Sequence, residues 1–265
     1  MASPEMVLAD LRDAWSASLS RTLLGLYLHG SLVAGDFAPD RSDLDLLAVL
    51  DSDPDETLLA VLAELHADLG RRHPQWAGRI EVEYVSLGAT RDAAHGRASQ
   101  THAIARISPG ESLHLLPATI HRVVTWSAVR DHGRVLVGPA AVALLPAVAP
   151  DLVRSALLEH VRDWPIWVTR MTTPGAQSYA VLTLCRALHR LQNGRQLSKR
   201  RAADLTIADL PQWDGLITWA RDWWYDGGKD TDTDTDRADD IHTFVHEISS
   251  TILASEPATN AGLPR

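Results

Sequence analysis

A single cysteine, Cys185, stands in 265 residues, so no intrachain disulfide can form and a reducing compartment fits. It lies in the apolar run AVLTLC, which predicts an inert core thiol. Long hydrophobic runs are missing too: none approaches the ~18 residues of a membrane span. The opening MASPEMVLADLRDAW has neither the basic stretch nor the continuous apolar stretch of a signal peptide. These absences predict a cytoplasmic protein that does not act at a membrane. Basic charge is in deficit: 25 Lys and Arg face 34 Asp and Glu, for a formal net charge of -9. That excludes the basic surface needed for non-specific nucleic-acid binding. It suits a cationic small molecule, and it suits plain solubility equally well. No Walker A or GxGxxG pattern occurs, and no internal repeat. The pair His242 and His246, in HTFVH, lacks the glutamate of a zinc-protease helix. The acidic run TDTDTDRADD has Thr235 where a calcium loop needs glycine and Ile241 where it needs glutamate.

What is present is a soluble globular composition, 45% hydrophobic and 22% charged, long enough for one large domain or two ordinary ones. Ser3 and Pro4 predict a helix start, followed by Val7, Leu11, Trp15 and Leu19 at helical spacing. LLGLYLHG reads as a strand, SLVAGDFAPDRS as a tight helical turn and loop, and DLDLLAVL as the next strand. SDPDETLLAVLAELHADLG predicts a helix capped by Asp53, started by Pro54 and stopped by Gly70. RIEVEYVSL alternates strictly, with Ile80, Val82 and Tyr84 on one side of a strand. Residues 88–118 give no clear pattern. TIHRVVTWSAVRDHG reads as helix and GRVLVGP as a short strand. Prolines and alanines then break the pattern, placing a boundary near Pro146–Pro150. The expected domains are 1–150 and 151–265, the second wholly helical over 151–170, 177–193, 199–208, 211–225 and 237–253. Its tryptophans read as packing residues for the most part. EPATNAGLPR at the end reads as a loose tail.

The chemistry sits in LHGSLVAGDFAPDRSDLDLLAVL, residues 28–50. On a strand, residues two apart face the same way, some 6.5–7 Å apart. Asp43 and Asp45 therefore share a side, and two such carboxylates repel unless a cation lies between them. Mg²⁺, a hard ion held by one or two carboxylates plus waters and phosphates, answers that need. Glu81 and Glu83 on the following strand can bring a third carboxylate to the same spot, to accept a proton from an attacking hydroxyl. Gly30 allows close backbone approach to phosphate, and Ser31 with the turn behind it can donate to phosphate oxygens.

This stretch resembles the signature of the nucleotidyltransferase superfamily typified by DNA polymerase beta: Gly-Ser, a spacer, then Asp-hydrophobic-Asp. It is similar, more narrowly, to the streptomycin/spectinomycin 3''(9) adenylyltransferases. The likeness continues at VLVGPAA (135–141), AVLTLCR (180–186), SKRRAAD (198–204) and ADDIHTFVHEI (238–248). It implies an α+β chain: a mixed-sheet nucleotidyltransferase domain, then an all-α helical bundle, with ATP and the drug bound between them. It implies that Asp43 and Asp45 hold Mg²⁺ and that Glu81 is the catalytic base. It also implies that Gly30, Ser31, Ser42, Arg186 and Lys199 meet the ATP phosphates, with Tyr225 near the nucleotide. The acceptor half departs from the family. ARISPGESLH, before LLPATIH, has no tryptophan, and TTPGAQSYAVLTL has no carboxylate, with Tyr179 at the ring position for the substrate. The expected activity is transfer of AMP from ATP to a hydroxyl of an aminoglycoside or spectinomycin-like antibiotic, releasing pyrophosphate. Two other readings stay open at this point: a different hydroxyl-bearing metabolite or protein as acceptor, or a nucleotide-binding regulatory or toxin–antitoxin module without turnover.

Overall fold

The computed structural model describes residues 3–97, 99–231 and 237–254. It divides into two compact units, residues 1–156 and 157–265. The acidic run at 232–236 and the tail from 255 lie outside the described residues.

The first unit opens with helix α1 (Pro4–Ser18), its first turn closed by the Ser3 hydroxyl accepting from the Met6 N–H at 3.3 Å. Strand β1 (Leu23–His29) runs into a single helical turn, α2 (Gly30–Val33), and a loop leads to β2 (Leu44–Leu50). Helix α3 (Glu56–Arg72) crosses over to β3 (Ile80–Ser86), which pairs parallel with β2. Next come α4 (Leu87–Ala94), β4 (Ser99–Ser108), β5 (Glu111–Ala118), α5 (Val123–His132), β6 (Arg134–Val137) and α6 (Ala141–Leu144). The strands form one mixed sheet in the order β5-β4-β3-β2-β1-β6, and only the β2–β3 pair is parallel.

Alternation divides the sheet between two cores. Leu26, Leu28, Leu44, Leu46, Ile80, Val82 and Tyr84 join Leu8, Leu11, Trp15, Leu62 and Leu69 of α1 and α3. Tyr27, Leu47, Val49 and Val85 join Ala89, Val123, Trp126 and Val129 of α4 and α5. The central strands are apolar on both faces because both are covered.

Helix α3 departs from the expected bounds. Its cap is Asp55, which accepts from the Leu58 N–H at 2.8 Å, and it runs through Gly70 to Arg72. Asp53 is engaged elsewhere: its carboxylate takes His102 Nδ1 at 2.8 Å and the Ser86 hydroxyl. Residues 88–118, unreadable by pattern, hold α4 and the β4–β5 hairpin. Its turn is Pro109-Gly110, with Gly110 at φ +79°.

The second unit is helical. Helix α7 (Pro150–Trp167) enters it, followed by α8 (Pro174–Asn193), α9 (Lys199–Asp209), α10 (Asp214–Tyr225) and α11 (Ala238–Ala254). Helix α8 is central: Ala180, Val181, Leu184 and Cys185 are buried, as are Ile217 and Ala220 of α10 and Phe244, Val245 and Ile248 of α11. Burial pushes the Cys185 thiol up to about 12, with a hydrogen bond to Thr206 opposing, so it is unreactive near neutral pH. Among the described residues no helix is long and apolar enough to cross a membrane.

Candidate active site

The first unit gathers its chemistry at one end of the β1–β2–β3 ribbon. β1 ends at His29, directly opposite Asp45 on β2, and Asp45 is level with Glu81 on β3. Asp45, Glu81 and Glu83 all project to the face that carries Tyr27 and Leu47, opposite the face of Leu44, Leu46, Ile80 and Val82. The chain turns sharply after His29. Gly30 adopts φ +72°, and a Cβ placed on it would lie 1.8 Å from Asp45 Oδ2. Only glycine fits there, because the aspartate carboxylate occupies the volume a side chain would need. Ser31 follows in the single turn of α2, which the Asp36 N–H closes by donating to the Ser31 carbonyl at 3.0 Å.

Asp43 precedes β2 and, like Asp45, is half-buried. The loop before it is locked by Ser42. This buried residue accepts the Ala38 N–H on its hydroxyl at 2.9 Å, and its carbonyl accepts from Arg79. Ser42 Oγ thus already accepts one hydrogen bond within the loop, and its own hydrogen can be donated to a ligand.

The two glutamates of β3 have separate fates. Glu83 is buried, accepting from Arg122 Nη1 at 2.8 Å and from the Trp126 indole N–H. It is a satisfied internal carboxylate that ties β3 to α5. Glu81 is more open, with a side chain 30% exposed, and its Oε1 accepts from Arg106 Nη2 at 3.2 Å and Nε at 3.4 Å. Among the described residues no three acidic, His or Cys side chains group into a ready-made metal cage. Asp45 and Glu81 share a level of the sheet, but Arg106 engages Glu81. Mg²⁺ does not require such a cage, since it takes one or two protein carboxylates and fills its shell with water and phosphate oxygens. Asp43 and Asp45, both half-buried at the head of β2, fit that demand.

The second unit carries the other candidates. Tyr179 and Arg186 lie seven apart on α8 and so share a helix face. Tyr179 is 41% exposed, and the Arg186 Nε is buried without a hydrogen-bond partner. Lys199 opens α9, and its ammonium lies 3.7 Å from the Trp224 ring centre and 4.9 Å from that of Tyr179, a cation–π seat. The Tyr225 hydroxyl accepts the Arg200 N–H at 3.2 Å, and the Arg200 guanidinium stacks on the Tyr225 ring at 3.9 Å.

Residues 8–101 match the family model for a nucleotidyltransferase domain, and residues 143–251 that for the C-terminal domain of aminoglycoside adenylyltransferases. The chain is 31% identical over 252 residues to an aminoglycoside (3'') (9) adenylyltransferase of Escherichia coli, covering 88% of this chain and 89% of that one. The chain belongs to the aminoglycoside adenylyltransferase family. A further member, from Rhizobium radiobacter, is 28% identical over 85% of this chain and 84% of its own. The fold agrees with a spectinomycin adenyltransferase from Enterococcus faecialis solved with ATP and spectinomycin. The TM-score is 0.74 over 94% of this chain and 99% of that one, at 15% identity. All sequence-predicted residues fall inside the two matched segments. Arg106, Trp224, Arg122 and Trp126 were not predicted. Reading Pro109-Gly110 as a hairpin turn would have placed Arg106 on a strand, but its neighbour β3 is set by a separate antiparallel pairing.

Proposed function

We propose that this family member transfers AMP from ATP to a hydroxyl of an aminoglycoside or spectinomycin-like antibiotic and releases pyrophosphate. The observation that carries this reading is the register of Asp45 with Glu81, beside a glycine whose missing side chain makes room for the Asp45 carboxylate. Asp43 and Asp45 would hold Mg²⁺, which when bound supplies positive charge to the triphosphate. Gly30 and Ser31 offer the turn that meets phosphate oxygens, and the Ser42 hydroxyl can donate its hydrogen to another. Arg186 and Lys199 add cationic contacts and Tyr225 a ring for the nucleotide. Glu81 accepts the proton of the acceptor hydroxyl, so its oxygen can attack the α-phosphorus as pyrophosphate leaves. Tyr179, 41% exposed, would offer the acceptor an aromatic ring beside the Lys199 ammonium.

The test is pyrophosphate release from each NTP with a panel of aminoglycosides and spectinomycin. Asp43→Ala and Asp45→Ala should each lower the rate by about 10²-fold or more, since electrostatic stabilisation dominates such transfers. Near-normal release from either variant would refute the assignment.

A further inference from the structure

We propose that Arg106 is a positioning residue that fixes the Glu81 carboxylate in one orientation for proton acceptance. The inference rests on Glu81 being the base. Backbone pairing sets Arg106 opposite Glu83, but its guanidinium reaches diagonally to Glu81 instead, because Glu83 is already held by Arg122 and Trp126. Both contacts from Arg106 go to Glu81 Oε1, which leaves Oε2 as the oxygen without an arginine on it and the one to receive the proton. The other arm of the guanidinium, Nη1, lies 3.3 Å from Glu111 Oε2, and the Ser108 hydroxyl donates to that same oxygen at 2.9 Å. Arg106 is thus held between Glu81 of β3 and Glu111 of its own β4–β5 hairpin.

This arrangement answers two demands on a general base. A glutamate has several side-chain torsions, and holding it in one rotamer before substrate arrives preserves the reacting geometry. A lone arginine would also make the carboxylate a poorer proton acceptor, and sharing its charge with Glu111 moderates that pull. Arg106 is itself more firmly protonated than usual: burial opposes its charge, but Glu81, Glu111 and Glu83 outweigh it.

The experiment compares Arg106→Gln and Arg106→Lys with the unmodified chain, measuring pyrophosphate release with ATP and a turned-over acceptor. Arg106→Gln should lower kcat by about 10- to 100-fold, as expected when a reacting group loses its orientation. KM for ATP should stay within about twofold, and Arg106→Lys should recover part of kcat. In a Glu81→Asp background, whose shorter side chain does not reach Arg106, the further change Arg106→Gln should cause little additional loss. An unchanged kcat in Arg106→Gln, a loss in KM alone, or the same fold-loss repeated in the Glu81→Asp background overturns the proposal. Glu81→Gln is run in parallel. If it keeps kcat, the base assignment itself falls, an outcome separable from a failed clamp beside an inactive Glu81→Gln.

Discussion

Two glycines that follow β1, one opening α2 and one just after it, offer a matched pair of perturbations. Gly30 and Gly35 have nearly the same backbone, φ +72° and +69°, but different surroundings. A Cβ at Gly35 meets nothing within 4 Å, whereas one at Gly30 lies 1.8 Å from Asp45 Oδ2. Replacing either with alanine forces an L-residue into the left-handed region, at about 1–2 kcal/mol of stability. Only Gly30→Ala adds a collision, and real Cβ atoms stay at least 3.0 Å from such neighbours, so the carboxylate must retreat by 1.2 Å or more. A displacement of about 1 Å at a reacting centre costs on the order of 10²-fold in rate, or about 2.7 kcal/mol of barrier. The two variants should therefore melt similarly in a thermal scan, yet Gly30→Ala should lose about 100-fold in kcat/KM for pyrophosphate release while Gly35→Ala stays near normal. Equal activities would show that the position of the Asp45 carboxylate does not control the reaction.

Arg122→Ala should lower stability by about 3 kcal/mol in urea unfolding, because it removes an arginine from the buried Glu83 carboxylate; Glu83→Gln in the same background should restore part of it. The pH profile of stability should carry two opposed histidine limbs. Burial pushes His66, bonded to the Tyr84 hydroxyl at 2.8 Å, down to about 4, so the unfolded chain takes up the proton first. Stability is then lost as pH falls from about 6.5 towards 4, on the order of 2 kcal/mol, and His66→Gln should flatten this limb. His102 moves the other way: burial opposes its charge, but Asp53 and Asp92 outweigh it and raise its pKa. Its contribution is complete below about 6.5 and is lost as pH rises through the raised value, and His102→Gln should abolish that alkaline limb. Denaturant melts across pH 4–8 read both limbs, and a variant that leaves its own limb intact contradicts the assignment.

What could be read ahead of the structure was whatever local chemistry dictates. The Ser3-Pro4 start, the strict alternation of Ile80, Val82 and Tyr84, and the Gly-Ser and Asp-Leu-Asp elements each need only near neighbours. The errors came where distant partners decide. Asp53 looks like a helix cap, yet His102 and Ser86 claim its carboxylate, and Asp55 caps α3 in its place. Gly70 looks like a stop, yet the helix carries through it because Leu69 is buried in the core beside it. The β4–β5 hairpin was hidden because its strands begin in a polar stretch and interleave charged and polar residues with apolar ones that pack into both cores. With it went Arg106, the partner that separates the role of Glu81 from that of Glu83. That separation rests on Arg122 and Trp126, 39 and 43 residues further on.

With Asp45 and Glu81 in the roles proposed above, their level pairing makes turnover a gauge of strand alignment. That alignment falls to the apolar alternates Leu44, Leu46, Ile80 and Val82, which sit on the far side of the sheet. A slip of one residue would turn Glu81 into the opposite core and set Ile80 or Val82 in its place. Packing faults beneath the sheet should thus register as lost catalysis before they register as lost folding, so an antibiotic-survival screen of this chain would select hydrophobic residues that never meet a drug.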